Sequence, residues 1–146
     1  MNIFHLAIEG GDLETTLPFY TDILGCELGP MEPGLWQDLD FWGHELTLHQ
    51  TEPRSRVMRS FRNKHKVDMG EVCVPHYGIH LGYPAWKMLA EHIHTEYGFL
   101  DEPFTRFEGT NRQQETFFVE DPNLNVLEIK SIQGDFYKNG TPRDTK

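Results

Sequence analysis

Two short stretches, His-Leu-Ala-Ile at residues 5–8 and His-Tyr-Gly-Ile at residues 76–79, open the same kind of segment twice in this chain of 146 residues. Each stretch begins a short apolar run, which is followed by a turn and then by apolar residues at helical spacing. A repeat of such long period is typical of two halves that pack against each other around a shared surface. The sequence therefore predicts a duplicated unit with a matching histidine in each copy.

The predicted elements follow the order strand, helix, strand, strand, strand in both copies. In the first copy, a strand at about 2–9 precedes a helix that begins after Asp12 and ends at Gly25, and three short strands follow up to Gln50. In the second copy, the predicted elements are a strand at 74–81, a helix at 85–97 and strands at about 104–108, 115–120 and 125–132.

This order of elements predicts one α+β domain over residues 1–146. The predicted domain contains a first module at about 1–52, a linker at about 53–72, a second module at about 73–133 and a polar tail at 134–146.

Composition narrows the class of function. The net charge of −10 argues against nucleic acid as a partner. Cys26 and Cys73 lack the CxxC spacing of redox or zinc motifs, and the first dozen residues carry no leader-like apolar run. No stretch approaches the roughly 20 apolar residues of a membrane span. We therefore expect a reduced, cytoplasmic protein that binds neither nucleic acid nor membrane.

Charge is unevenly distributed along the chain. Residues 54–66 carry six of the 13 Lys and Arg residues and no acidic residue. One interpretation is a solvated surface loop or helix. Another is a basic edge that steers an anionic substrate or contacts the acidic face of a second subunit. The sequence leaves both interpretations open.

Three side chains of the repeat form a candidate metal site. Alternation along a strand places His5 with Ala7, and His76 with Gly78, on one face of each leading strand. The small residue beside each histidine leaves room for a ligand. Glu128 interrupts an otherwise apolar strand, where an unpaired buried carboxylate is costly. Two imidazoles and one carboxylate form a facial triad, which suits Fe(II) and oxygen chemistry and is also compatible with Mn, Zn, Ni or Co.

At these residues the chain resembles the vicinal oxygen chelate superfamily, which includes glyoxalase I, the bleomycin- and fosfomycin-resistance proteins and the extradiol ring-cleaving dioxygenases. The chain is most similar to the small branch of predicted extradiol-type dioxygenases. The resemblance implies paired βαβββ modules that form an open, half-barrel cavity around a divalent metal, and it implies a homodimer. It covers about residues 3–132, and its matching segments are 4–7, 19–25, 43–49, 75–78 and 117–130.

The resemblance also implies roles for further residues. It places the ligand position of the first module's last strand near Thr47, where glyoxalase I would carry glutamate. Because threonine is a poor ligand, a three-ligand site of extradiol or fosfomycin type matches better. Extradiol enzymes use an acid–base histidine close to the metal, and His44 and His49 compete for that role. His49 is alternatively a fourth ligand, and His80 is a further candidate for the site.

The lead hypothesis from the sequence is a metal-dependent enzyme, an extradiol-type dioxygenase that uses Fe(II) and O₂ to cleave a catechol-like small molecule. A second hypothesis is Lewis-acid isomerisation of the glyoxalase type. A third, of another class, is a metal-free protein that binds a small aromatic molecule, as the bleomycin-binding relatives do.

Overall fold

The computed structural model describes the backbone of residues 2–132, 136–138 and 141–143 and the side chains of residues 2–131. The predicted order of elements is confirmed in both halves. The first half consists of β1 (His5–Gly11), α1 (Leu13–Pro18, continued by a π-helical turn at Phe19–Ile23), β2 (Glu27–Glu32), β3 (Trp36–Phe41) and β4 (His44–Gln50). A 3₁₀ helix (Arg56–Phe61) and the strands β5 (Lys64–Val67) and β6 (Gly70–Cys73) follow. The second half consists of β7 (Tyr77–Gly82), α2 (Tyr83–Glu96), β8 (Asp101–Arg106), β9 (Gln114–Glu120) and β10 (Val126–Ile132).

Each half folds into a four-stranded mixed sheet with the same topology. The strand order is β1-β4-β3-β2 in the first sheet and β7-β10-β9-β8 in the second. The leading strand of each half lies parallel to the last strand, and the other pairs are antiparallel. A helical connection from the first to the second strand allows this parallel pairing. The α+β fold of two βαβββ modules is therefore confirmed.

The chain divides into two compact units whose borders differ from the borders of the modules. The first unit contains the residues up to Phe61 together with Asp121–Asn125, and the second contains Arg62–Glu120 and the residues from Val126 onward. In the first unit, α1 contacts β1 and β4, and Leu46 and Leu48 of β4 are buried. Burial of such apolar side chains is the main stabilising contribution to a unit of this kind.

The turn before β10 belongs to the first unit and is rigidly bonded there. The Tyr20 hydroxyl donates to Asp121 Oδ2 over 2.7 Å, and Tyr20 and Asp121 are 0% and 1% exposed. The other Asp121 oxygen accepts the backbone N–H groups of Asn123 and Asn125. Burial raises the pKa of the Asp121 carboxyl, although these hydrogen bonds oppose the shift. The predicted Asp-Pro-Asn turn is confirmed, and its side chains also organise the first unit.

In the second unit, α2 covers one face of the sheet. Its buried residues are Trp86, Ala90 and Ile93, and the Trp86 indole N–H donates to the carbonyl oxygen of Ile129 over 2.9 Å. Leu127 and Ile129 are both 0% exposed. The predicted alternation of β10 is thus confirmed, because residue 128, between these two, points away from the helix.

The predicted linker contains a hairpin of two strands that the sequence did not predict. Strands β5 and β6 form a hairpin whose turn has Gly70 at φ 121°. The basic stretch that precedes and enters this hairpin is partly ion-paired. Arg54 pairs with Glu9 in the first unit, and Arg62 pairs with Glu120 in the second, at 2.7 and 2.6 Å. At least two of the six cations in the basic stretch are therefore already paired with carboxylates, and this holds for both interpretations of the stretch.

The ends of the predicted strands shift by a few residues. Strand β1 begins at His5 rather than residue 2, and β7 begins at Tyr77 rather than residue 74. Pro75 has no N–H to donate to a ladder, so the pairing begins only after it. His76 consequently lies just before β7 rather than inside it. Of the predicted polar tail, only β11 (Phe136–Lys138) and β12 (Thr141–Arg143), which pair with each other, are among the described residues.

No helix among the described residues is long and apolar enough to cross a membrane.

The structure gives a different reason for glycine at position 78 than the sequence suggested. The sequence predicts that this small residue leaves room for a ligand. In the structure, a Cβ atom at Gly78 would lie 1.6 Å from the backbone carbonyl oxygen of Glu128. The close approach of β10 to β7, rather than a vacant space, therefore requires glycine at this position.

This contact generates a stability prediction. We expect Gly78→Ala to lower the free energy of unfolding by about 1–3 kcal/mol or more, because β7 and β10 must separate to admit the methyl group. Gly82→Ala is the matched control in the same strand, since no atom lies within 4 Å of its added Cβ. Urea unfolding of the three proteins measures the difference. Equal unfolding midpoints for the two variants would contradict the prediction.

Candidate metal centre

The centre of the candidate site is a buried carboxylate on β10. Glu128 lies between Gly78 of β7 and Phe118 of β9 in the register of the second sheet, and its side chain is 5% exposed. Its Oε2 atom lies 3.1 Å from Nε2 of His76. The second module therefore brings together two of the three predicted metal ligands.

The His76 ring is held in a defined orientation. Its Nδ1 atom lies 2.7 Å from the carbonyl oxygen of Cys73, and its ring meets Phe118 edge-on with centroids 5.4 Å apart. Because a carbonyl oxygen only accepts, Nδ1 must carry a proton, and Nε2 is the nitrogen that faces Glu128. A histidine that donates one ring N–H to a carbonyl and presents the other nitrogen is the usual arrangement of a metal ligand.

Other side chains also stabilise the charge on Glu128. The Thr116 hydroxyl donates to Oε1 over 2.9 Å. Lys130 Nζ lies 3.6 Å from Oε2, and Arg106 Nη1 lies 3.8 Å from Oε1. Burial by itself would raise the pKa of Glu128, but His76, Lys130 and Thr116 outweigh it and lower that pKa. The carboxylate is therefore ionised at neutral pH.

The contact between His76 and Glu128 shifts the pKa of the imidazole in the opposite direction. The hydrogen bond to Glu128 raises the pKa of His76, burial opposes that shift, and the Cys73 carbonyl adds to it. His80 shares the site face of β7 with Gly78 and lies beside Lys130 in the register. Burial, followed by the charge of Lys130, lowers the pKa of His80. His80, which lies on the strand that follows His76, is therefore uncharged at neutral pH.

The pair fits a divalent ion. Two donors about 2.1 Å from one ion and roughly at right angles lie about 3 Å apart. The observed separation of 3.1 Å between His76 Nε2 and Glu128 Oε2 agrees with that geometry. Imidazole nitrogen together with carboxylate oxygen is a donor set typical of first-row transition metals. Among the described residues, however, no three His, Cys, Asp or Glu side chains are grouped closely enough to form a complete site.

His5, the third predicted ligand, belongs to the first unit. Its Nδ1 atom lies 2.6 Å from Glu45 Oε1, and the two side chains are 57% and 49% exposed. The register pairs Ala7 with Thr47, so Thr47 shares the sheet face of His5. The Thr47 hydroxyl donates to the Asp38 carboxylate on β3. Thr47 is therefore already hydrogen-bonded within the sheet.

The two candidate acid–base histidines lie on opposite faces of the first sheet. His49 is exposed and pairs with Glu9, which places it on the face of His5 and Thr47. His44 lies on the other face, and its Nδ1 atom accepts the backbone N–H of Phe4 over 3.1 Å.

The sequence did not predict a role for the groups that surround the predicted ligands. Strand alternation places Lys130 on the face of Glu128, and that spacing was a usable signal of its role. Arg106, Thr116 and Cys73 carry no such signal, because their positions depend on the pairing of β8 and β9 and on the path of the hairpin.

Comparison with solved structures places the fold among known proteins. No family model and no curated protein matches the chain. The glyoxalase/bleomycin resistance protein/dioxygenase from Alicyclobacillus acidocaldarius is 31% identical, with a TM-score of 0.71 over 90% of this chain and 92% of that chain.

Two more distant structures share the fold. The lactoylglutathione lyase from Agrobacterium tumefaciens is 17% identical, with a TM-score of 0.60 over 89% of this chain and 92% of its own. The fosfomycin resistance protein from Listeria monocytogenes is 13% identical, with a TM-score of 0.57 over 90% of this chain and 91% of its own. The duplicated βαβββ topology and the first of these likenesses together show that the chain belongs to the glyoxalase/bleomycin resistance protein/dioxygenase superfamily.

Proposed function

We propose that the protein is a metal-dependent enzyme in which His76 and Glu128 hold a divalent ion, with His5 as the third ligand. The observation that carries the proposal is the buried Glu128 carboxylate, 3.1 Å from an imidazole that a backbone carbonyl orients. The substrate is a small molecule. Members of the superfamily named as glyoxalase, lyase and dioxygenase support an enzymatic role.

The chain's own residues have definable tasks in this proposal. Cys73 fixes the tautomer and direction of His76, and Thr116 fixes one oxygen of Glu128, so that the other oxygen would hold a bound ion. A bound ion would polarise substrate oxygen atoms and, if it were Fe(II), would also exchange electrons with O₂. Lys130, together with His76 and Thr116, keeps the carboxylate ionised.

We further propose the extradiol dioxygenase reaction with Fe(II) as its specific chemistry. The support is the hydrogen bond of Thr47 to Asp38, which leaves three ligands where a glyoxalase I site would have a fourth. A facial triad of two histidines and one carboxylate is typical of oxygen-using Fe(II) enzymes. His49 is the better candidate for proton transfer, because it shares the sheet face of His5, whereas His44 does not.

One observation favours a second function, namely metal-free binding of a small molecule. Lys130, Arg106, Thr116 and His76 already provide Glu128 with two close cations and two hydrogen bonds. A buried carboxylate with such partners is stable without an ion. Metal content therefore distinguishes the two functions.

Metal loading is the first test. After anaerobic purification and dialysis with Fe(II), we expect about one ion per chain in the wild type, measured by plasma mass spectrometry. Glu128→Gln and His76→Ala each remove a ligand and are expected to weaken metal affinity by at least about 100-fold. His5→Ala tests the third ligand in the same way.

Matched controls for these variants lie on the exposed face of α2. Glu96→Gln and His92→Ala make the same chemical changes at exposed positions and should retain full loading. If the wild type binds neither Fe(II) nor Mn, Zn, Ni or Co, the enzyme proposal is wrong and the metal-free function remains.

Oxygen consumption tests the specific chemistry. With Fe(II) bound, we expect O₂ uptake and a ring-opened product for at least one member of a catechol panel. His49→Ala should lower kcat by about 10²–10⁴ without changing metal content, as expected for loss of a general acid–base group. His44→Ala is the control from the opposite sheet face. Stoichiometric metal without oxygen uptake would instead indicate glyoxalase-type isomerisation.

The pH dependence of metal affinity follows from the His76–Glu128 pair. Glu128 raises the pKa of His76, so an incoming ion must displace a proton that is held above the ordinary histidine pKa of about 6.5. We expect the apparent affinity to rise with pH through this raised pKa and then level off. Calorimetry at pH about 6, in buffers of different ionisation enthalpy, should show release of about one proton per ion. An affinity that is constant between about pH 5.5 and 8 would contradict His76 as a ligand.

A further inference from the structure

A cavity lies beside Glu128 within the second unit, and the linker hairpin forms one of its walls. Its volume is about 350 Å³. Val67, Met69 and Val72 line it from the hairpin, and Phe104 and Phe118 line it from strands β8 and β9. Ligand sites in proteins are concave, mostly apolar and about 300–1,000 Å³ in volume. This cavity matches the lower end of that range.

The hairpin is attached to the sheet at both of its ends. At its base, Cys73 is buried in a cluster with Phe118 and Val126, and Val72 packs against this cluster. At its turn, Asp68 forms an ion pair with Arg106 of β8. The hydrogen bond from Arg106 lowers the pKa of Asp68, so the ion pair persists at neutral pH. The apolar wall is therefore held over the sheet by contacts on both sides of the cavity.

The charges around the cavity disfavour an anion. Four carboxylates line it, from Glu71, Asp101, Glu102 and Glu128, against the single guanidinium of Arg106. That guanidinium lies between Asp68 and Glu128, at 3.8 Å from the latter, so its charge is already compensated. Glu128 is likewise compensated, by His76 and Lys130. The charge preference of the cavity therefore comes from Glu71, Asp101 and Glu102, which disfavour anionic molecules relative to neutral or cationic ones.

We infer that the hairpin cavity is the binding site for an apolar, ring-bearing small molecule that carries no negative charge, and that Met69 and the Asp68–Arg106 pair determine how tightly it binds. The inference rests on the proposed function only where it names this molecule as the substrate. Binding in the cavity itself requires no metal, since its apolar walls are contributed entirely by protein side chains.

A pair of fluorescent probes tests the inference. N-phenyl-1-naphthylamine is neutral, and 8-anilinonaphthalene-1-sulfonate has the same rings with one added sulfonate. Titration of the metal-free protein in EDTA is expected to show saturable binding of the neutral probe, at least about tenfold tighter than binding of the sulfonate. Equal or tighter binding of the sulfonate would overturn the assigned charge preference.

Two variants locate the site of the probe. Met69 is 59% exposed, so Met69→Ser should fold normally while it weakens binding of the neutral probe by about three- to tenfold. Met88→Ser, on α2 and outside the cavity, is the matched control, because Met88 is 72% exposed. Asp68→Asn releases the hairpin turn and should weaken binding by up to about fivefold. Equal affinities in Met69→Ser and Met88→Ser would overturn the inference.

The result of the probe titration can be distinguished from the result of the metal-loading test. Because the titration is made in EDTA, loss of probe binding in Met69→Ser supports the cavity whether or not the protein loads a metal. Normal metal loading without saturable binding of the neutral probe would overturn the cavity alone.

Discussion

The second unit depends on how one buried carboxylate, Glu128, keeps its charge. Taking a carboxylate out of water costs several kcal/mol unless neighbouring groups compensate for it. Here an imidazole, a hydroxyl and two cations do so, and each comes from a different part of the module. The same residue requires glycine at position 78, because the backbone carbonyl of Glu128 approaches β7 closely. The charge and the close strand contact thus occur at one register position of the sheet.

This arrangement links stability to chemistry. The hydrogen bond between the two side chains lowers the pKa of Glu128 and raises the pKa of His76, so the metal-free pair binds a proton where the proposed metal would bind. A bound divalent ion would take the place of that single proton and would leave the carboxylate buried. The buried pair is therefore compatible with both a loaded and an empty state, as the proposed metal site requires.

The linker hairpin connects the ligand-binding wall to the candidate metal ligand. Cys73 ends strand β6, and its carbonyl oxygen is the acceptor for His76 Nδ1. The opposite end of the hairpin is attached through Asp68 to Arg106, which also lies near Glu128. A molecule that fills the cavity therefore contacts an element bonded to both sides of the His76–Glu128 pair. In this way a segment between the two modules contributes to the site of the second.

The sequence by itself determined the duplicated order of elements and the inward position of Glu128, and it indicated His76 as a candidate site residue, because strand alternation and a repeated histidine are local patterns. It also placed His49 and Thr47 on one strand face. Only the tertiary structure decided the rest. Arg106 and Cys73 reach the Glu128–His76 pair through non-local pairing and through the hairpin, for which the sequence carried no periodic signal. The reason for Gly78 was likewise hidden, since it depends on the distance between two strands that lie fifty residues apart in the chain.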